Sequence, residues 1–202
     1  MISLDQTLIK PGKIICVGRN YVKHIEELNN EFPQEMVLFQ KSASSISDQL
    51  IHPIQSCRFE AEICLLIKNK EVYALGAGLD LTLDKKQTYL KEKGLPWERA
   101  KNFKNSAVFS NFIRHDLQEI LRLKLYKNDQ LQQYAKEEMM IYTIKDILQQ
   151  CEEVFGLEDN DIIMTGTPEG VDNFTPNTKL SIELYADEKL LVQDSWIASI
   201  SE

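Results

Sequence analysis

The chain has 202 residues, 43% of them hydrophobic and 27% charged, which is enough apolar material for a core and excludes wholesale disorder. Its formal net charge is -8, from 31 acids against 23 bases, so a phosphate backbone is a poor partner and an acidic ligand needs a local cation. The length fits one domain over residues 1–202, and no run approaches the roughly 18 apolar residues of a membrane span.

The opening MISLDQTLIKPGK has no basic segment followed by an apolar run, so no leader peptide is expected. Residues 13–18, KIICVG, are a short β-rich run and predict a buried strand. Residues 20–29 predict a short helix with Tyr21, His24 and Leu28 on one side. Residues 36–40 predict a strand, and the Ser-, Asp- and Pro-rich stretch 42–57 a loop. Residues 58–68, RFEAEICLLIK, carry the strongest strand signal, and 71–83 predict a second strand interrupted by Gly76 and Gly78. Glycine inside a strand marks a bulge or a close backbone approach.

Residues 84–93 predict a polar helix that stops at Gly94. LQEILRLKLY, 117–126, alternates as an amphipathic strand, and KNDQ behind it suits a hairpin turn. The best helix is 144–155, with Ile144, Ile147, Leu148, Cys151 and Phe155 on one stripe, Thr143 as N-cap, Asp146 three residues on and Gly156 as stop. DIIMTG then predicts a strand running into the turn TGTPEG, and two more strands fall near 179–185 and 189–194. Strands outnumber helices without a regular βαβ alternation, which disfavours a doubly wound fold and predicts a mainly β, α+β domain with mixed sheets.

Cys16, Cys57, Cys64 and Cys151 make no C-x-x-C pair, so a thiolate zinc site is disfavoured and reduced, cytoplasmic thiols are expected. Glu60 and Glu62 lie two apart in a strand and share a face. An antiparallel strand with one wet acidic side accounts for such alternation taken alone. Cys64 and Leu66, however, continue that face with apolar residues, which implies cover by protein. Carboxylates held there repel each other and need a cation, and Mg²⁺ or Mn²⁺ takes oxygen ligands. Asp80, in the apolar segment GAGLDLTL, is the natural third acid, although a lone Asp there also suits a strand end or turn. His24 and Glu27, at i and i+3, can pair as a carboxylate-oriented base or simply as a surface pair. The TGTPEG turn can serve as a plain tight loop or offer N–H and hydroxyl groups to a carboxylate.

Six segments together resemble the fumarylacetoacetate hydrolase family, in particular its small acylpyruvase-like members: CVGRNYVKHIEEL (16–28), LFQK (38–41), FEAEICLLI (59–67), GLDLT (78–82), KGLPWERAKNF (93–103) and DIIMTGTPEGV (161–171). The resemblance implies a mixed β-sandwich roll of that family's C-terminal-domain type, assembled as a homodimer. It implies Mg²⁺ or Mn²⁺ held by Glu60, Glu62 and Asp80, a catalytic dyad of His24 and Glu27, and an active-site lysine at Lys101. Gln87 and Thr167 match substrate-contacting positions, and Arg19 lies in the first motif near the substrate.

The implied reaction is metal-dependent cleavage of an acylpyruvate to pyruvate and a carboxylic acid. Oxaloacetate decarboxylation or keto–enol tautomerisation would use the same site. The chain departs from the family where T/S-A-R-D is usual: here Thr82-Leu83-Asp84-Lys85 puts Asp84 in place of the arginine and Lys85 in place of the aspartate. Lys85 or Lys86 is the candidate replacement charge, as a point charge and not a bidentate fork. The proline usual after Lys41 is Ser42. The changed segment also fits a catalytically impaired metabolite-binding relative.

Overall fold

The computed structural model describes residues 1–28 and 31–200. In chain order, β1 (Ile2–Leu4) and β2 (Thr7–Ile9) form a hairpin, β3 (Ile14–Gly18) leads into α1 (Val22–Glu27), and β4 (Val37–Lys41), β5 (Ile46–Ser47) and β6 (Ile51–His52) follow. The long strands β7 (Arg58–Lys68) and β8 (Glu71–Thr82) come next, then α2 (Asp84–Glu92) and α3 (Glu98–Lys101). Strands β9 (Ala107–Phe109), β10 (Ile113–Arg114), β11 (Leu121–Lys127) and β12 (Gln130–Lys136) precede α4 (Ile144–Phe155). The order closes with β13 (Ile162–Met164), β14 (Asp172–Asn173), β15 (Lys179–Ala186), β16 (Lys189–Ile197) and β17 (Ser199–Ile200).

A mixed sheet runs in the order β4-β3-β13-β7-β8-β9-β5, with β10 added to β8 and β14 to β7. Its β3–β13 and β5–β9 pairs are parallel. A second, antiparallel sheet has the order β12-β11-β15-β16. The expected mainly β, α+β architecture with mixed sheets is what forms.

The β7–β8 hairpin is the spine. Asn69 and Lys70, at φ 52° and 65°, make the positive-φ turn that matches strand twist. Both faces of β7 are covered. Phe59, Ala61, Ile63, Leu65 and Ile67 join one apolar cluster, while Cys64 and Leu66 join another with Cys16, Ile162 and Met164. The wet acidic side that ordinary alternation allows is therefore absent. Gly76 and Gly78 do not interrupt β8: they permit close approach. A Cβ at Gly76 would lie 2.9 Å from the Phe112 ring, and one at Gly78 would lie 2.7 Å from the Phe109 ring.

Three expectations shift. The helix expected over 20–29 is the shorter α1, because Asn20 O accepts from Ile141 N–H and Tyr21 makes a β-bridge with Met140; position 29 lies outside the described residues. The expected loop 42–57 contains β5 and β6, which pair with β9 and β17. The strand expected over 117–126 begins at Leu121. The α4 capping box forms as expected: Thr143 Oγ1 accepts from Asp146 N–H and Asp146 accepts from Thr143 N–H. Among the described residues no helix is long and apolar enough to cross a membrane.

Two stability outcomes follow from these contacts and are read by urea unfolding. Thr143→Ala removes the α4 cap and costs about 1 kcal/mol. Gly78→Ala drives a methyl into Phe109 and the Cys64 sulfur and costs roughly 1–3 kcal/mol.

Candidate active site

The β7–β8 register sets Glu60 opposite Asp80 and Glu62 opposite Gly78. Two residues along β7 and one across to β8 thus place three carboxylates on one face of the sheet. All are buried, with relative exposures of 6%, 2% and 0% for Glu60, Glu62 and Asp80. They converge: one oxygen from each lies within 4.8 Å of the others.

Cations meet two of the three acids. Lys101 Nζ, delivered by α3, donates to Glu60 Oε2 at 2.8 Å and to Asp80 Oδ2 at 2.7 Å. Lys41, fully buried at the end of β4, places its Nζ 2.8 Å from Asp80 Oδ1 and donates to the carbonyls of Leu81, Ser106 and Lys101. Arg58 Nε donates to Glu60 Oε1 at 3.1 Å, and Thr82 Oγ1 donates to the same oxygen at 3.0 Å. Burial pushes the Glu60 carboxyl up, but Lys101, Arg58 and His24 outweigh it and hold the group below the usual carboxylate range.

Glu62 is different. Its Oε2 accepts the Gly166 N–H at 2.6 Å, and among the described residues it has no ion-pair partner. Burial first, then Asp80 and Glu60, raise its carboxyl well above the ordinary value. An all-oxygen cluster with one acid still lacking positive charge fits a hard divalent cation such as Mg²⁺ or Mn²⁺. The Lys101 ammonium already sits between two of the acids, which shows that this space favours a cation.

His24 and Glu27 lie beside the cluster on α1. Their Nδ1–Oε2 distance is 3.4 Å, and Glu27 Oε1 accepts the Gly170 N–H at 3.0 Å. Burial lowers the His24 pKa more than Glu60 and Glu27 raise it, so the imidazole is neutral near pH 7, as a proton acceptor must be. The TGTPEG turn therefore holds a carboxylate at each end, Glu62 through Gly166 and Glu27 through Gly170. Gly166, at φ +100°, has no room for a side chain, since a Cβ would lie 2.8 Å from the Asn20 Cβ. Thr167 Oγ1 donates to Ala61 O at 2.9 Å and accepts from Gln133 Nε2 at 2.9 Å.

Eight of the nine residues singled out from sequence line one cavity; the ninth, Glu27, sits behind His24 and anchors it. Arg19, at φ 59°, lines it in a conformation that side chains rarely adopt. Gln87 is buried there and accepts from Arg58 Nη2 at 2.7 Å. Lys85 is exposed, Lys86 lies over the Tyr89 ring at 5.3 Å, and neither lines the cavity, so neither replaces the missing arginine charge at position 84. Sequence reasoning missed Arg58, Lys41, Lys91 and Gln133. Arg58 had a signal, because it shares the strand face of Glu60 and Glu62. Lys41 had only its place in LFQK.

Removing Lys41 leaves part of Asp80 unpaired in the core. Lys41→Met is expected to destabilise the protein by about 3 kcal/mol, the low end for a broken buried pair because Lys101 keeps its own contact. Guanidinium unfolding of the two proteins reads this directly, and a loss under 1 kcal/mol would contradict it.

The chain has relatives among known proteins in both sequence and fold. Residues 13–195 match the family of the fumarylacetoacetate hydrolase C-terminal domain. The chain is 33% identical to the mitochondrial oxaloacetate tautomerase of Saccharomyces cerevisiae, over 89% of each chain. It is also 33% identical to the oxaloacetate tautomerase of Escherichia coli, over 85% of this chain and 87% of that one. A solved structure from Oleispira antarctica, a candidate fumarylacetoacetate isomerase/hydrolase, superposes with TM-score 0.92 at 34% identity over 98% of this chain and 99% of that one. The chain belongs to the fumarylacetoacetate hydrolase family.

Proposed function

We propose that the chain is a metal-dependent enzyme of small 2-oxo acids and that its reaction is the keto–enol tautomerisation of oxaloacetate. The observation that carries this reading is the convergence of three buried carboxylates, one without an ion-pair partner among the described residues, beside a neutral imidazole. The choice of tautomerisation over C–C cleavage rests on the yeast and bacterial relatives, which are oxaloacetate tautomerases by name. In this reading Glu60, Glu62 and Asp80 hold Mg²⁺ or Mn²⁺. The ion supplies Lewis-acid polarisation of the 2-oxo group and of the adjoining carboxylate.

Tautomerisation moves one proton from C3 of the substrate to its 2-oxo oxygen. His24, through Nε2, accepts the C3 proton, Glu27 at Nδ1 fixes the ring and steadies the imidazolium that forms, and the imidazolium then returns that proton to the 2-oxo oxygen, which completes the enol and restores the neutral ring. Lys101, protonated and raised above its usual value by Asp80 and Glu60 against the lowering effect of burial, offsets the charge that develops on the oxygen. Gln87, Thr167 and Arg19 line the substrate cavity. The whole chain acts as one catalytic unit and, by analogy with its family, as a homodimer; its four free, buried cysteines support a cytoplasmic setting, although the yeast relative is mitochondrial by name.

A second reading, hydrolysis of acylpyruvates to pyruvate and a carboxylic acid, is favoured by the same dyad. A carboxylate-oriented imidazole suits deprotonation of an attacking water as well as of carbon. Oxaloacetate decarboxylation shares the site without that water.

Assays on oxaloacetate and acetylpyruvate side by side separate these reactions, with enol absorbance reporting tautomerisation and pyruvate release reporting cleavage. EDTA is expected to abolish turnover, and Mg²⁺ or Mn²⁺ to restore it. His24→Ala is expected to lose roughly 100-fold or more in rate. Full activity in a Glu60→Ala, Glu62→Ala double variant would remove the basis of the proposal, and metal-dependent turnover of any 2-oxo acid rules out a purely binding role.

A further inference from the structure

The cavity carries cationic groups that its own acids do not use up. Arg58 leaves β7 on the same face as Glu60 and Glu62 and lines the cavity. Its Nε binds Glu60 Oε1 at 3.1 Å and its Nη2 binds Gln87 Oε1 at 2.7 Å. Those two bonds occupy one edge of the guanidinium. Nη1 and the second N–H of Nη2 form the other edge, for which no protein acceptor exists among the described residues. Such an edge matches the two oxygens of a carboxylate.

Lys91, four residues beyond Gln87 on α2, lines the same cavity and lies over the Trp97 ring at 5.0 Å. It makes no ion pair among the described residues. Burial first, then Arg19, Arg58 and Lys101, bring its ammonium down to about 8. By contrast, Asp84 accepts from Asn173 Nδ2 at 3.3 Å and does not line the cavity. Arg58 is the register partner of Thr82, so the guanidinium comes from the strand beside the altered segment and not from the segment itself.

We propose that Arg58 and Lys91 bind the second carboxylate of a dicarboxylic 2-oxo acid and make this cavity selective for dicarboxylates over monocarboxylates. Gln87 orients Arg58, and Arg58 is a specificity-determining residue without a part in proton transfer. This rests on the reading above, in which the acid cluster and its metal take the first carboxylate and the 2-oxo group. A fumaryl- or oxalo-type substrate meets the requirement, whereas acetylpyruvate lacks the distal charge.

The test is calorimetric binding to the full chain loaded with Mg²⁺, using three unreactive ligands. Oxalate probes the metal and the first carboxylate, lactate adds nothing at the distal end, and malate adds the second carboxylate. The wild type is expected to bind malate roughly tenfold or more tighter than lactate, the scale of one charge-assisted hydrogen-bond pair. Arg58→Gln also removes a Glu60 contact, so it is read as the malate-to-lactate affinity ratio, which is expected to lose most of the preference; Lys91→Gln, which touches none of the three acids, is expected to weaken malate while oxalate affinity stays within about twofold. Equal affinity of the wild type for malate and lactate overturns the proposal. So does an Arg58→Gln variant that keeps the wild-type malate-to-lactate ratio, because Arg58 would then act only through Glu60, or a Lys91→Gln variant with unchanged malate affinity. Failure of the wild type to bind oxalate at all overturns the metal reading and this inference with it.

Discussion

Everything at this site follows from one constraint: β7 is covered by protein on both faces. A half-wetted strand would let Glu60 and Glu62 reach water, and their spacing would carry no consequence. Here apolar clusters close over both sides, and the same face that bears Cys64 and Leu66 bears the acids. Taking a carboxylate out of water costs several kcal/mol unless opposite charge and hydrogen bonds repay it. The sheet meets that demand with Lys41 from β4, Lys101 from α3 and Arg58 from β7 itself, and leaves Glu62 with a single backbone N–H.

Rigidity comes from a small number of shared anchors. The TGTPEG turn grips Glu62 at one end and Glu27 at the other, so the acid cluster and the histidine pair are positioned by one piece of backbone. Gln133, buried on β12 of the second sheet, accepts the Ala61 N–H at 3.0 Å and donates to Thr167 Oγ1 and Pro168 O. It ties the turn to β7 across the two sheets. Groups held this way do not need to reorganise when charge develops in front of them, which is where preorganised sites gain most.

The global and local electrostatics have opposite sign. A chain of formal charge -8 repels small dicarboxylates at long range. The cavity lining nevertheless includes Arg58, Lys91 and Lys101 beside the three acids, and Arg19, Arg58 and Lys101 add to the effect of burial in lowering Lys91. Net charge alone is therefore a poor guide to the local field in the cavity.

The linear order of residues by itself determined the local elements: the α4 capping box at Thr143 and Asp146, the alternation of Leu121, Leu123 and Leu125, and the shared face of Glu60 and Glu62. These depend on periods of 3.6 and 2 and on near-neighbour hydrogen bonds, which a sequence displays directly. The nine candidate residues could be singled out together because their motifs resemble a known family, and not because any spacing demanded them. Only the tertiary structure decided that Asp80 falls opposite Glu60, that the strand is dry on both faces, and that Lys41, Arg58, Lys91 and Gln133 belong to the same neighbourhood. It also decided that residues 42–57 are not a plain loop, since β5 and β6 exist only by pairing with β9 and β17, which lie far along the chain. Register between distant strands, and the burial that makes a charge costly, are properties of the packed chain that no local pattern encodes.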